Sequence, residues 1–85
     1  MEIEQLRVFL TLAETKNFTR AAERLFVSHS TVSRCLSALE DELGVRLVER
    51  DNRVVGLTAA GERLCERAGE LVRLADEIDE EMRNM

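Results

Sequence analysis

Between positions 16 and 34 the chain carries Lys16, Arg20, Arg24 and Arg34 against a single acid, Glu23. Small hydroxyl side chains and the one histidine are set among them: Ser28, His29, Ser30, Thr31, Ser33 and, one turn further, Ser37. Hydroxyls, an imidazole and guanidinium groups share one competence, hydrogen bonding to phosphate oxygens and to the edges of bases. Nothing nearby turns them into an enzyme. There is no Ser-His-Asp constellation, no glycine-rich phosphate loop and no cluster with metal-ligand spacing. Cys35 and Cys65 stand thirty positions apart and match no zinc or redox motif, so they read as reduced thiols of a cytosolic protein. Eighty-five residues leave little room for a catalytic pocket, and no cofactor is called for.

The net charge of −5 argues against nucleic acid until its distribution is read. Residues 1–57 hold nine acids and eight bases, whereas residues 58–85 hold eight acids and four bases. The total therefore hides a basic segment ahead of an acidic tail, and a local patch is enough to meet phosphates. Apolar runs never exceed three residues, so no membrane helix is expected, and the start MEIEQLR has no signal-peptide core. The chain reads as soluble and cytoplasmic.

The hydrophobic spacing supplies the scaffold. Ile3, Leu6, Phe9, Leu10 and Ala13 predict a first helix over about 3–15. Asn17 or Thr19 caps a second, with Phe18, Ala21, Ala22, Leu25 and Phe26 on one face. Ser28 caps a third, whose inner stripe is Val32, Leu36, Leu39 and Leu43 and which stops at Gly44. Two helices joined so tightly cross steeply, as a helix-turn-helix over 18–37. Then the period changes: Val45–Glu49 and Val54–Leu57 flank Arg50-Asp51-Asn52-Arg53, a two-stranded wing over 46–57 with arginines at its tip.

Thr58 caps a last helix. Gly61, Leu64, Ala68, Leu71, Ala75, Ile78, Met82 and Met85 step through it by threes and fours, a heptad seam on a rod of roughly 40 Å. So long a stripe calls for a twin helix, and Leu64, Ala68, Leu71, Ala75, Ile78 and Met82 are the expected dimer contacts. The fold class is therefore mainly α: a winged helix-turn-helix of three helices plus a β wing in residues 1–58, and a dimerisation helix in 59–85.

These residues carry a resemblance. Leu6-Arg7-x-Phe9, Phe18-Thr19-Arg20-Ala21-Ala22-Glu23-Arg24-Leu25, Val27-Ser28-x-x-x-Val32-Ser33-Arg34, Leu39-Glu40-x-x-Leu43-Gly44-Val45-x-Leu47, Arg50-x-x-Arg53 and Leu57-Thr58-x-x-Gly61 together closely resemble the N-terminal winged helix-turn-helix and linker helix of the LysR-type transcriptional regulators. The resemblance covers essentially the whole chain. It implies a bacterial, sequence-specific binder of double-stranded DNA, an antiparallel linker pair reading an interrupted inverted repeat, and a tetramer in the full-length protein. It also implies a small-molecule effector bound by a C-terminal domain beyond this sequence, autoregulation, and control of a neighbouring operon. Two positions depart from the family pattern. His29 and Ser30 stand where Gln and Pro are usual, and Val48 stands where Phe is usual, so family rules of base preference do not carry over.

The residues then take roles. Burial of Val32, Leu36, Leu39 and Leu43 leaves Ser28, His29, Ser30, Thr31, Ser33, Arg34 and Ser37 for the major groove. Arg34 either forks onto a guanine or clamps a phosphate. His29 offers an imidazole nitrogen to guanine or to a thymine carbonyl, and in its protonated form adds a charge facing the duplex. Thr19 and Arg20, at the start of the second helix, are backbone-positioning contacts. Arg50 and Arg53 suit a narrow minor groove, and the family pattern favours Arg53. The rival reading, a winged helix serving protein assembly through its acidic rod, would want exposed aromatic or aliphatic side chains on the third helix. Its outer face offers His, Ser and Arg instead, which favours DNA.

Overall fold

The computed structural model describes residues 1–51 and 54–85, with the backbone alone at Arg50, Asp51 and Val54. Four helices and a hairpin follow in the order α1 (Ile3–Thr15), α2 (Phe18–Leu25), α3 (His29–Leu43), β1 (Val48–Asp51), β2 (Val54–Leu57) and α4 (Ala59–Arg83). Each helix starts on a side chain able to accept a backbone N–H. Glu2 opens α1 in a capping box with Gln5. Asn17, rather than Thr19, caps α2 by accepting from the Arg20 N–H at 2.9 Å. Ser28 and Thr58 cap α3 and α4 in the same way.

The core is one cluster. Leu6, Phe9 and Leu12 of α1 meet Phe18, Ala21 and Ala22 of α2, Val32, Leu36 and Leu39 of α3, and Leu47, Val48 and Val55 of the wing. Ala21 and Ala22, both buried, let α2 cross its neighbours closely. Three of the expected core positions are exposed instead. Ile3 is exposed, and Leu12 takes the buried place on α1 that the spacing from Phe9 also allows. Leu43, in the last turn of α3, is exposed. Phe26 is 94% exposed, because α2 ends one residue earlier and Phe26 turns left-handed (φ 58) as its C-cap. There its N–H reaches back to the Ala22 and Glu23 carbonyls, and the Val27 N–H bonds Ala22 O at 3.0 Å.

The wing begins later than expected. Val48 pairs with Leu57, and the antiparallel register runs on to Asp51 opposite Val54. Residues 45–47 have no strand opposite them, because β2 ends at Leu57 and Thr58 already caps α4. They are held instead by side chains and caps. The Glu40 carboxylate accepts from the Leu47 N–H at 2.7 Å and the Val48 N–H at 3.4 Å. Thr58 Oγ1 donates to Arg46 O at 2.6 Å, and the Thr58 N–H donates to Leu47 O at 3.1 Å. On the other side, the Val55 N–H donates to the carbonyl of Lys16, the left-handed cap of α1. Val48 is buried, so the replacement of the family's usual aromatic there is a change in packing.

The first half of α4 is part of this core. Ala68 is 2% exposed, and Leu64, Cys65 and Val72 pack against the cluster. The expected seam thus divides: Gly61 and Ala68 face their own domain, Leu64 lies at the border, and the residues beyond Val72 lose that cover. Ala68, an expected dimer contact, thus lies buried against its own domain, and the helix expected as a unit of its own from residue 59 shares the core through its first half. Further along, the Arg7 guanidinium grips Asp76 at 2.6 Å and tethers α4 to α1. That hydrogen bond holds the Asp76 carboxyl below its ordinary value. The contact therefore contributes fully above the ordinary carboxylate range and is lost as pH falls through the depressed value.

Two substitutions test the packing of α4. A β-carbon on Gly61 would run into the carbonyl oxygen of Leu47 and come within 3.0 Å of its carbonyl carbon, whereas one on Gly69 would meet nothing within 4 Å. Gly61→Ala should lose about 1–3 kcal/mol in denaturant unfolding through the forced backbone shift, and Gly69→Ala should gain about 0.5–1 kcal/mol from helix propensity. At the other end of the domain, Phe26→Gly should raise stability by about 1 kcal/mol, since it relieves a left-handed residue and gives up little buried area. Equal melting temperatures for the Phe26→Gly and parent proteins would mean that the Phe26 ring makes compensating contacts.

Candidate nucleic-acid interface

The helix-turn-helix brings the starts of α2 and α3 together. Phe18 and His29, each the first residue of its helix, place their rings 5.3 Å apart at an interplanar angle of 35°. Thr19 and Arg20, exposed in the first turn of α2, therefore flank the N-terminal end of α3, where His29 and Ser30 are exposed. Two helix N-termini with outward polar side chains form one surface, and the backbone N–H groups of such ends favour anions.

The side chains on that surface differ in how far they are committed to the fold. The Ser28 hydroxyl caps α3, lying 3.1 Å from the Thr31 nitrogen and 2.8 Å from the Thr31 hydroxyl. Ser28 and Thr31 thus order the start of the helix. Ser33 is half-buried and engaged in contacts of its own. Arg34 and Ser37 are exposed on the face opposite Val32, Leu36 and Leu39. Of the wing-tip candidates, Arg53 lies outside the described residues, as does the side chain of Arg50.

The ion pairs sort the cations further. Arg24 is neutralised by Glu14 at 3.0 Å, Arg7 by Asp76, and Arg46 lies 4.0 Å from Glu40. Along α4, Arg63, Arg67, Arg73 and Arg83 each pair with an acid three or four residues away. Among the described residues, Lys16, Arg20 and Arg34 are left without a carboxylate partner, and all three are exposed in or beside the helix-turn-helix. The basic stretch of the sequence is thereby narrowed by one, since Arg24 is spent on α1.

The two cysteines are half-buried and free, and burial pushes both thiols up, which makes them poor thiolates. No group of His, Cys, Asp and Glu among the described residues could hold a metal ion. No helix among them is long and apolar enough to cross a membrane. On α4, the exposed apolar face comprises Leu71, Leu74, Ile78 and Met82, with Ala75 half-buried at its edge and Met85 exposed beyond the helix end. Leu74 was not among the expected seam residues. It stands three residues after Leu71 and four before Ile78, a spacing that would have revealed it.

Comparison with known proteins agrees with this geometry. A family described as bacterial regulatory helix-turn-helix protein, lysR family, matches residues 3–62. The HTH-type transcriptional regulator YfeR of Shigella flexneri is 45% identical over 82 residues, which span 96% of this chain and 26% of YfeR. The regulator IlvY of Escherichia coli K12 is 50% identical over 64 residues, 75% of this chain and 22% of IlvY. The chain thus spans roughly a quarter of the length of these curated relatives. Among solved structures, the CbnR DNA-binding domain in complex with DNA matches with a TM-score of 0.92 at 42% identity, covering 99% of this chain and 97% of that one. The BenM DNA-binding domain bound to catB site 1 DNA gives 0.94 at 33% identity, covering 99% and 93%. Helix-turn-helix, wing and long last helix thus recur together, and the chain belongs to the LysR family of bacterial regulatory helix-turn-helix proteins.

Proposed function

We propose that this chain is the DNA-binding portion of a cytoplasmic, sequence-specific transcriptional regulator that pairs through α4 and catalyses no reaction. The observation that carries the reading is the distribution of unpaired cations. Arg20 and Arg34 stay free of carboxylates on the surface where α2 and α3 begin, whereas every other arginine with a described side chain lies within 4.0 Å of one of the chain's own acids. Phosphate neutralisation needs such cations in one place, and net charge is secondary to it.

In this reading α3 enters the major groove. Arg34, His29, Ser30, Ser33 and Ser37 face the bases or flanking phosphates, Ser28 and Thr31 hold the helix start, and Thr19 and Arg20 fix the register on the backbone. Arg50 and Arg53 of the wing take the adjacent minor groove. Leu71, Leu74, Ala75, Ile78 and Met82 meet a second copy, with Leu64 at the border of that contact. Two recognition helices held in this way read two half-sites, the arrangement of an inverted repeat. Pairing into a tetramer and binding of a small-molecule effector belong to the remaining part of a longer protein. The DNA complexes of the CbnR and BenM domains support this use of the fold.

Binding sites selected from a random duplex pool should yield an inverted repeat with a steep salt dependence of affinity. Arg34→Ala should lose at least ~1 kcal/mol on the selected site. A loss confined to that site makes Arg34 a base reader, and an equal loss on all sequences makes it a phosphate clamp. No enrichment by a folded dimer would overturn the reading in favour of protein assembly. Ile78→Glu tests the pairing: in sedimentation equilibrium it should shift the protein to monomer, and it should weaken binding to the full repeat while leaving single half-site binding intact.

A further inference from the structure

The contact between Phe18 and His29 extends that reading, on which it rests. We propose that Phe18 is a positioning residue for base recognition: its ring backs the imidazole of His29 and holds it in one orientation at the start of α3, so selectivity at the base pair facing His29 depends on a side chain of the core. The geometry is that of an aromatic pair, with centroids 5.3 Å apart and planes tilted by 35°, inside the 4.5–7 Å range where such contacts are favourable. The two partners are unequal. Phe18 is buried to 8% exposure and follows the Asn17 cap, so its position is set by the core. His29 is exposed at the first position of α3. A histidine there without support would sample several rotamers, and ordering it on DNA would cost conformational entropy. Set beside Phe18 yet exposed, the imidazole can still offer a ring N–H. Such a donor suits the acceptors of a base in the major groove, guanine N7 and O6 or thymine O4.

The inference separates two things that alanine scanning of exposed residues alone would merge. His29 supplies the hydrogen bond, and Phe18 supplies the preorganisation that makes it selective. Non-specific affinity comes from phosphate contacts and does not pass through Phe18.

The test uses the parent, Phe18→Leu, His29→Ala and the double variant, titrated on the selected duplex, on duplexes with one base pair replaced at each position, and on an unrelated duplex. His29→Ala should flatten discrimination at one position. Phe18→Leu should reduce discrimination at that same position by roughly three- to tenfold, leave binding to the unrelated duplex unchanged, and add nothing to His29→Ala in the double variant. Full discrimination in a folded Phe18→Leu protein, with discrimination lost in His29→Ala, would overturn the role of Phe18 and keep that of His29. No position-specific loss in His29→Ala would remove base reading by His29 and the proposal with it. The parent protein gives an answer even if Phe18→Leu does not fold: its His29 ring protons should be shifted upfield in the proton NMR spectrum relative to the unfolded chain, and unshifted protons overturn the contact.

Discussion

The backbone of one residue, Leu47, joins the parts that must keep fixed positions. Its side chain is buried, so its peptide groups cannot rely on water and need partners inside the protein. The N–H finds the carboxylate of Glu40 in α3, and the carbonyl finds the N–H of Thr58, the cap of α4. The same carbonyl excludes a side chain at Gly61, one turn into α4. The end of α3, the start of the wing and the start of α4 therefore meet at the backbone of one residue. A charged acceptor raises the strength of the first bond above that of a neutral pair, and the absent β-carbon permits the close approach that the other two require.

Consequences for recognition follow from that junction and from α1. The burial of Ala68 and the tether from Arg7 to Asp76 hold α4 on the domain as far as Asp76. The direction in which α4 leaves the domain is thereby fixed relative to α3. A dimer built on the outer half of α4 would transmit this direction to the spacing of two recognition helices. The division of the heptad between an inward and an outward use lets one helix belong to the core with one half and offer an exposed apolar face with the other.

Much of this was legible in the sequence because it depends on local chemistry. Caps at Ser28 and Thr58, the left-handed stop at Gly44, and the inner stripe Val32, Leu36 and Leu39 are each dictated by a residue type and its neighbours. The less legible parts depend on what lies opposite. Nothing in Val45-Arg46-Leu47 shows that β2 ends too soon to pair with it. Phe26 reads as core by period and escapes only because α2 terminates before it. The seam on α4 could not reveal that Ala68 faces α1 and its neighbours while Leu71 faces outward, since both satisfy one heptad. Of the candidate site, the exposed face of α3 was legible, whereas the loss of Arg24 to Glu14 was not, because that pair spans two helices and depends on how α1 and α2 pack, which the three- and four-residue spacing within one helix does not report.

Charge gives the last step. A chain at −5 would repel a polyanion if its acids acted uniformly. They do not. Acids along α4 lie three or four residues from arginines of the same helix, as in Arg63–Glu66 and Arg73–Glu77, where exposed pairs contribute little to stability. Their effect is local: they keep the arginines of α4 occupied, and Asp76, Glu77, Asp79, Glu80 and Glu81 gather in the last third of the helix. With a screening length near 8 Å at physiological ionic strength, charges spread along a helix of 25 residues, roughly 37 Å long, act on their own surroundings rather than on the molecule as a whole. The acidic rod and the cationic face can then coexist, because a phosphate meets the local charge of Arg20 and Arg34 and not the net charge of the chain.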